Sequence, residues 1–152
     1  MSNPPNNPVI ICGFPGIGKS YAAKKRGWHD SDSSQFSWVS HGEIPRVPNP
    51  EFPANYIFHI ACLEGPVLAS SHSVVRNALV QANLSFSVCY PARQCLAEYL
   101  ERYRQRGSPE SFVILLASNW DNWLGEMENE TRATHHLVLG PGQYLDDALP
   151  DA

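Results

Sequence analysis

One stretch carries the densest chemical signal in the chain. Gly13-Phe14-Pro15-Gly16-Ile17-Gly18-Lys19-Ser20 has glycine at its first and sixth places, then lysine, then a hydroxyl residue. Glycines let successive backbone N–H groups turn into one concavity without Cβ clashes. A helix opening near Gly18 adds the positive end of its dipole. Such a concavity suits phosphate: Lys19 is a point charge for the β and γ groups, and the Ser20 hydroxyl is a Mg²⁺ ligand. At ordinary residue usage this pattern arises by chance in roughly one in two hundred chains of this length. Here an apolar run, 9–12, precedes it and a helical pattern follows, which is the context the pattern requires. Gly13, Pro15, Gly16, Ile17, Gly18, Lys19, Ser20 and Tyr21 are therefore the expected contacts of a nucleoside triphosphate, with ATP and Mg²⁺ as the expected cofactors.

The rest of the chain must position that loop. The spacing of apolar residues predicts strands at 9–12, 28–30, 66–70, 84–90 and 135–139. Helices are predicted at 18–26, 54–63, 73–82 and 93–105, with a terminal turn at 146–149. A longer helix begins after Ser108 as cap and Pro109 as first residue. Its apolar stripe is Phe112, Leu116, Trp120, Trp123 and Met127. Pro45, Pro48, Pro50 and Pro53 argue against regular structure over 33–53. Strand alternating with helix means α/β architecture: a three-layer P-loop domain with a five-stranded, mainly parallel sheet. Residues 1–8 read as a disordered polar tail and 9–152 as one domain. Ligands of such sheets bind beyond the carboxyl ends of the strands, so the residues after each strand matter most.

Composition limits the alternatives. The chain has 152 residues, of which 43% are hydrophobic and 17% charged, enough for one buried core. A formal charge of −4 argues against a surface that coats nucleic acid or anionic lipid. No run reaches the ~20 apolar residues of a membrane span. Cys12, Cys62, Cys89 and Cys95 show no CxxC spacing, so unpaired thiols in a reducing compartment, the cytoplasm, are expected rather than disulfides or zinc.

The loop and the layout after it resemble the P-loop kinases that include nucleoside and nucleoside monophosphate kinases, shikimate and gluconate kinases, and polynucleotide kinases. The segments 13–20, 30–34, 70–76, 99–107 and 140–144 also resemble small phage-type P-loop kinases. No N-K-x-D or D-x-x-G element is evident, which disfavours a regulatory GTPase. The resemblance implies a carboxylate at the end of the second strand that meets the acceptor hydroxyl or the metal. His29-Asp30-Ser31-Asp32 supplies two. Asp32 is the expected base or hydroxyl-orienting group, and both Asp30 and Asp32 are expected on the metal side. The alternative is ordinary polar turn chemistry. After the third strand, Ala69-Ser70-Ser71-His72 lacks the acid often found there. That absence keeps open a nucleotide-binding module, or slow NTPase, that signals to a protein partner. His72 either touches substrate or is a surface residue beside a helix cap.

The resemblance also implies a lid, here about 99–108, whose arginines reach over the transferring phosphate. Arg102 and Arg106 share a helix face, and Arg104 points elsewhere. Arginine suits the task because its fork pairs with phosphate oxygens. The alternative is a solvated face paired with Glu98 and Glu101. Between 27 and 75 the one basic residue is Arg46, with Arg76 or Arg93 as possible helpers. So thin a cradle favours a neutral acceptor, such as a nucleoside, modified base or small alcohol, over a monophosphate. Arg46 and Arg76 remain the expected substrate contacts. A nucleic-acid hydroxyl is a less favoured acceptor. Phe36, Trp38, Phe52 and Tyr56 either stack on a base or pack the proline-rich loop. In the resembling kinases the loop beyond the last strand passes beside the base, so Gln143 or Tyr144 either contacts the nucleotide base or belongs to a turn before a terminal helix. His135 and His136 point to opposite faces of a strand and do not chelate together.

Overall fold

Ile10, Ile11 and Cys12 form an unbroken apolar run of the kind a strand covered on both faces buries. In the computed structural model, which describes residues 9–39 and 47–149, this run lies in β1 (Ile10–Gly13), buried at every position. β3 (Val67–Ser70) is buried likewise and pairs with β1 in parallel, with Gly13 level with Ser70. β2 (His29–Asp30), β4 (Ser87–Pro91) and β5 (His136–Leu139) complete a five-stranded sheet in the order β2-β3-β1-β4-β5. All its pairings are parallel. The sheet thus has the expected α/β P-loop architecture, with β1 and its glycine loop at the centre.

Parallel neighbours need crossovers, and helices supply them. They are α1 (Lys19–Arg26), α2 (Ser34–Ser37), α3 (Ala54–Cys62), α4 (Ser73–Gln81), α5 (Leu96–Gln105), α6 (Glu110–Glu128) and α7 (Leu145–Ala148). Lys25 and Arg26 tie α1 to α7 through Asp146, at 2.6 and 2.7 Å. Tyr103 of α5 packs against Phe112 of α6 at 4.8 Å between ring centroids. Beneath the glycine loop, Phe14 meets Trp120 at 5.5 Å, and Tyr99 meets Trp120 at 5.6 Å. The loop is therefore anchored in the core by one of its own side chains, while the Phe14 N–H donates to the Cys89 carbonyl on β4.

Several local expectations need correction. The proline-rich stretch holds a short helix, α2, and an antiparallel bridge between Trp38 and Pro48. Residues 93–95 form a 3-10 turn ahead of α5. Ser108 does not cap α6: its N–H donates back to the Tyr103 carbonyl, and Pro109 takes the cap position. Gly107, at φ +78°, reverses the chain there. Cys12, Cys89 and Cys95 are buried free thiols, whereas Cys62 is exposed. The expected tail, 1–8, and Arg46 lie outside the described residues.

Candidate active site

The loops after β1, β2 and β3 open into one cavity of about 920 Å³, with α5 and the loop after β5 on its other side. Gly16 and Gly18 both adopt left-handed backbone, at φ +90° and +88°. A Cβ on Gly16 would press on Tyr103 and Tyr99 at 3.0 and 3.1 Å, and one on Gly18 would meet Tyr144 at 2.9 Å. Glycine is thus required at both places by conformation and by space. The concavity suits phosphate, because its donors are backbone groups that cannot rotate away. Lys19 folds back on the loop, its Nζ donating to the Gly13 carbonyl at 3.0 Å. Burial pushes its pKa below the ordinary lysine value, with Asp30 and Asp32 opposing the shift.

Ser20 lies in the first turn of α1, and its hydroxyl donates to Asp30 Oδ2 at 2.6 Å. A hydroxyl and a carboxylate in contact beside a phosphate loop form an all-oxygen donor set of the type that holds Mg²⁺ partly through its waters. These residues fit the metal that the loop implies. Asp30 ends β2, and Asp32 follows on the same cavity wall.

The wall is fixed by Tyr56, which the sequence offers only as a stacking or packing ring and not as a hydrogen-bonding tie. The Tyr56 hydroxyl is fully buried, donates to the Ser31 carbonyl at 2.7 Å and accepts from the Ser70 N–H at 3.3 Å. It thereby ties the end of β2 to the end of β3. Phe36 packs on Tyr56 and His59 at 5.2 and 4.9 Å, so those two rings are packing. Phe52 reaches the cavity. His72 also lines it, and burial followed by the Lys19 charge lowers its pKa.

The expected arginines separate sharply. Arg102 is 9% exposed, and its fork is occupied. It donates to the Gly16 carbonyl at 2.8 Å, to the Gln143 carbonyl at 2.8 Å and to Glu98 at 2.6 Å. Its guanidinium also lies over Tyr99 and Tyr144, at 4.3 and 3.8 Å from their centroids. The second Glu98 oxygen accepts from the Gly142 N–H at 2.8 Å. Glu98 and Arg102 therefore lock the glycine loop to the loop beyond β5. Arg106 is exposed at the cavity wall, 5.0 Å over Tyr103. Arg104 faces away, 3.6 Å from Glu110.

Arg76 does not line the cavity. It is 3% exposed, bonded to the Ser71 carbonyl at 3.0 Å and to Glu130 at 3.0 Å. Arg93 likewise pairs with Asp121 and Glu128, at 2.8 and 2.7 Å. Ile17 keeps its side chain in the core, and its carbonyl accepts from the Leu145 N–H at 2.8 Å. Gln143 turns its side chain onto the Gly140 N–H at 2.7 Å, and the neighbouring Tyr144 faces the cavity instead. Gly13, Pro15, Lys19, Ser20 and Tyr21 all line it. Tyr103 and Phe112 line it too, with nothing but their place on amphipathic helices to signal that role.

No family model matches the chain, and no curated protein does. Among solved structures, a gluconokinase from Sinorhizobium meliloti 1021 superposes over 96% of this chain and 89% of its own, with TM-score 0.53 and 18% identity. An uncharacterized protein from Eubacterium ventriosum ATCC 27560 superposes over 94% and 93%, with TM-score 0.54 and 12% identity. At such identities the likeness is one of fold: this chain has the fold of a small P-loop kinase.

Proposed function

We propose that this P-loop kinase fold carries an ATP- and Mg²⁺-dependent phosphotransferase acting on a hydroxyl of a nucleoside, nucleotide or similar small molecule. The observation that carries the reading is the Ser20–Asp30 bond of 2.6 Å, made in the cavity that also holds Lys19 and Asp32. Phosphoryl transfer asks little covalent chemistry of a protein and much positioning. The glycine loop holds the triphosphate by backbone donors, and Lys19 swings from the Gly13 carbonyl to the outer phosphates. Ser20 and Asp30 would hold Mg²⁺, which would supply charge neutralisation at the phosphate oxygens. Asp32 orients the acceptor hydroxyl and accepts its proton. Arg106 is the lid cation placed to balance charge, while Arg102 acts indirectly by fixing the loop. Tyr144, rather than the Gln143 side chain, meets the base. A 5′-hydroxyl or modified base of nucleic acid is a variant acceptor. The unpaired thiols fit a reducing, cytoplasmic setting.

The test is ATP consumption with Mg²⁺ across nucleosides, monophosphates, polyols and 5′-hydroxyl oligonucleotides, with Lys19→Ala as control. One acceptor class should stimulate turnover, and the control should lose it. Asp32→Asn should cut acceptor-dependent kcat about 10²–10⁴-fold while nucleotide affinity stays within about twofold.

A second reading has its own observation. β3 ends in Ser70, followed by Ser71 and His72, with no carboxylate at that strand end. A module that binds nucleotide and signals to a partner would show tight binding and flat rates across the same panel.

A further inference from the structure

Adenine and guanine differ at their edges, where one carries an amine donor and the other a carbonyl acceptor. A backbone loop that tells them apart must turn an N–H or a carbonyl toward that edge. The loop beyond β5 has committed its donors elsewhere. The Gly140 N–H donates to Gln143 Oε1 at 2.7 Å, and the Gly142 N–H donates to Glu98 Oε1 at 2.8 Å. The Gln143 N–H donates to the Gly140 carbonyl at 3.1 Å. The Tyr144 N–H donates to Asp147 Oδ2 at 2.8 Å, and the Leu145 N–H donates to the Ile17 carbonyl at 2.8 Å. Pro141 has no N–H to give. Carbonyls are taken as well: that of Gln143 accepts from Arg102 at 2.8 Å, and that of Tyr144 accepts from the Asp147 N–H at 3.0 Å. Every N–H over 140–145 is thus spent on holding the loop to itself, to α5 and to the glycine loop.

What the loop offers instead is a ring. Tyr144 is 43% exposed on the cavity wall. The Arg102 guanidinium lies over it, 3.8 Å from its centroid. The ring also rests on Gly18, where a Cβ would stand 2.9 Å from Tyr144 Cδ1. It is therefore set in place before a ligand arrives, and stacking on it costs little ordering. Every base has a π-face, so stacking tolerates a change of base.

Resting on the reading that Tyr144 meets the base, we infer that the phosphate donor is chosen by its phosphates and not by its base, so that purine nucleotides bind alike through stacking on Tyr144.

The experiment titrates ADP, GDP and IDP with Mg²⁺ calorimetrically into the full chain. No acceptor is present, so phosphate transfer does not enter. The three Kd values should agree within about tenfold. A site that reads the edge by hydrogen bonds separates such analogues by about 10⁴-fold. Tyr144→Ala should weaken all three by about tenfold, whereas Tyr144→Phe, which keeps the ring and loses the hydroxyl, should hold them within about threefold. Thermal melts confirm that both variants fold, and where Tyr144→Ala does not, the spread of Kd and the Tyr144→Phe values decide. A spread beyond tenfold overturns the inference. So does a common affinity that Tyr144→Ala leaves unchanged, an affinity lost in Tyr144→Phe, or no binding at all. Equal binding alongside flat turnover across the acceptor panel removes the phosphotransferase reading and leaves this inference standing. One strongly preferred nucleotide alongside acceptor-stimulated turnover does the reverse.

Discussion

Replacing Arg102 and Arg106 separately distinguishes a strut from a catalytic cation. Arg102→Ala removes three charge-assisted hydrogen bonds, to Gly16, Gln143 and Glu98, and strands a carboxylate that is 32% exposed. Bonds to charged groups contribute about 1.5–3 kcal/mol each, but bonds sharing one guanidinium do not add. Because the Glu98 carboxylate stays partly solvated, the penalty of stranding a buried charge is largely avoided and the net loss should be about 2–4 kcal/mol. For a domain of this length each kcal/mol lowers Tm by about 2–4 °C, so Tm should fall by about 4–16 °C. Nucleotide affinity should fall with it, because the Gly16 carbonyl and the loop beyond β5 lose their common tether. Arg106 is exposed, and its removal should shift stability by no more than about 0.5 kcal/mol. Its loss should lower kcat about 10²-fold with nucleotide affinity kept. Thermal melts, nucleotide titration and acceptor-dependent kcat on both variants complete the test. An unshifted Tm in Arg102→Ala together with a collapse of kcat would refute the strut and restore that residue as a lid arginine.

Other consequences can be measured alongside. Tyr56→Phe leaves the Ser31 carbonyl and the Ser70 N–H without their buried partner. It should cost about 1–3 kcal/mol by denaturant titration and raise the acceptor KM more than the ATP KM. Hydrogen bonding from Arg132, ahead of an opposing burial effect, holds the Glu130 carboxyl below its ordinary pKa of 4.5. A depressed carboxylate contributes stability above its unfolded pKa and loses it as pH falls through the folded one. Glu130→Gln should therefore melt well below the wild type at pH 7, with the gap closing below pH 4.5. Burial raises Cys12 and Cys89 to about 12, while Cys62 is exposed. A thiol reagent at pH 8 should modify Cys62 rapidly in the native protein, and the other three only after unfolding.

The glycine loop was legible because its geometry follows from residue type: only glycine takes φ near +90° beside Tyr99 and Tyr103 without strain. β1 and β3 were legible because buried parallel strands read as apolar runs. The arginines were not. Spacing places Arg102 and Arg106 on one face, yet it cannot say that Arg102 reaches the Gly16 carbonyl across 86 residues. Arg76 is likewise claimed by Glu130, 54 residues on, and no local pattern announces a pair closed by tertiary packing. α2 escaped notice because four residues among prolines carry no period. The Gln143 side-chain oxygen accepts within its own turn, a local competition invisible at the level of residue type.

β2 is two residues long and lies at the edge of the sheet, yet it ends in Asp30 and leads directly into Asp32, both on the cavity wall. Its neighbour on the inner side holds it by a few backbone bonds and by the Tyr56 hydroxyl. The phosphate-holding half is instead embedded between β3 and β4. The cavity thus has one wall set in the middle of the sheet and another set at its edge. Amides at 29–32 should exchange with solvent well before those at 10–13. If the proposed transfer holds, sequence change at this edge would alter what the Asp30–Asp32 wall accepts while leaving the glycine loop in the middle of the sheet undisturbed.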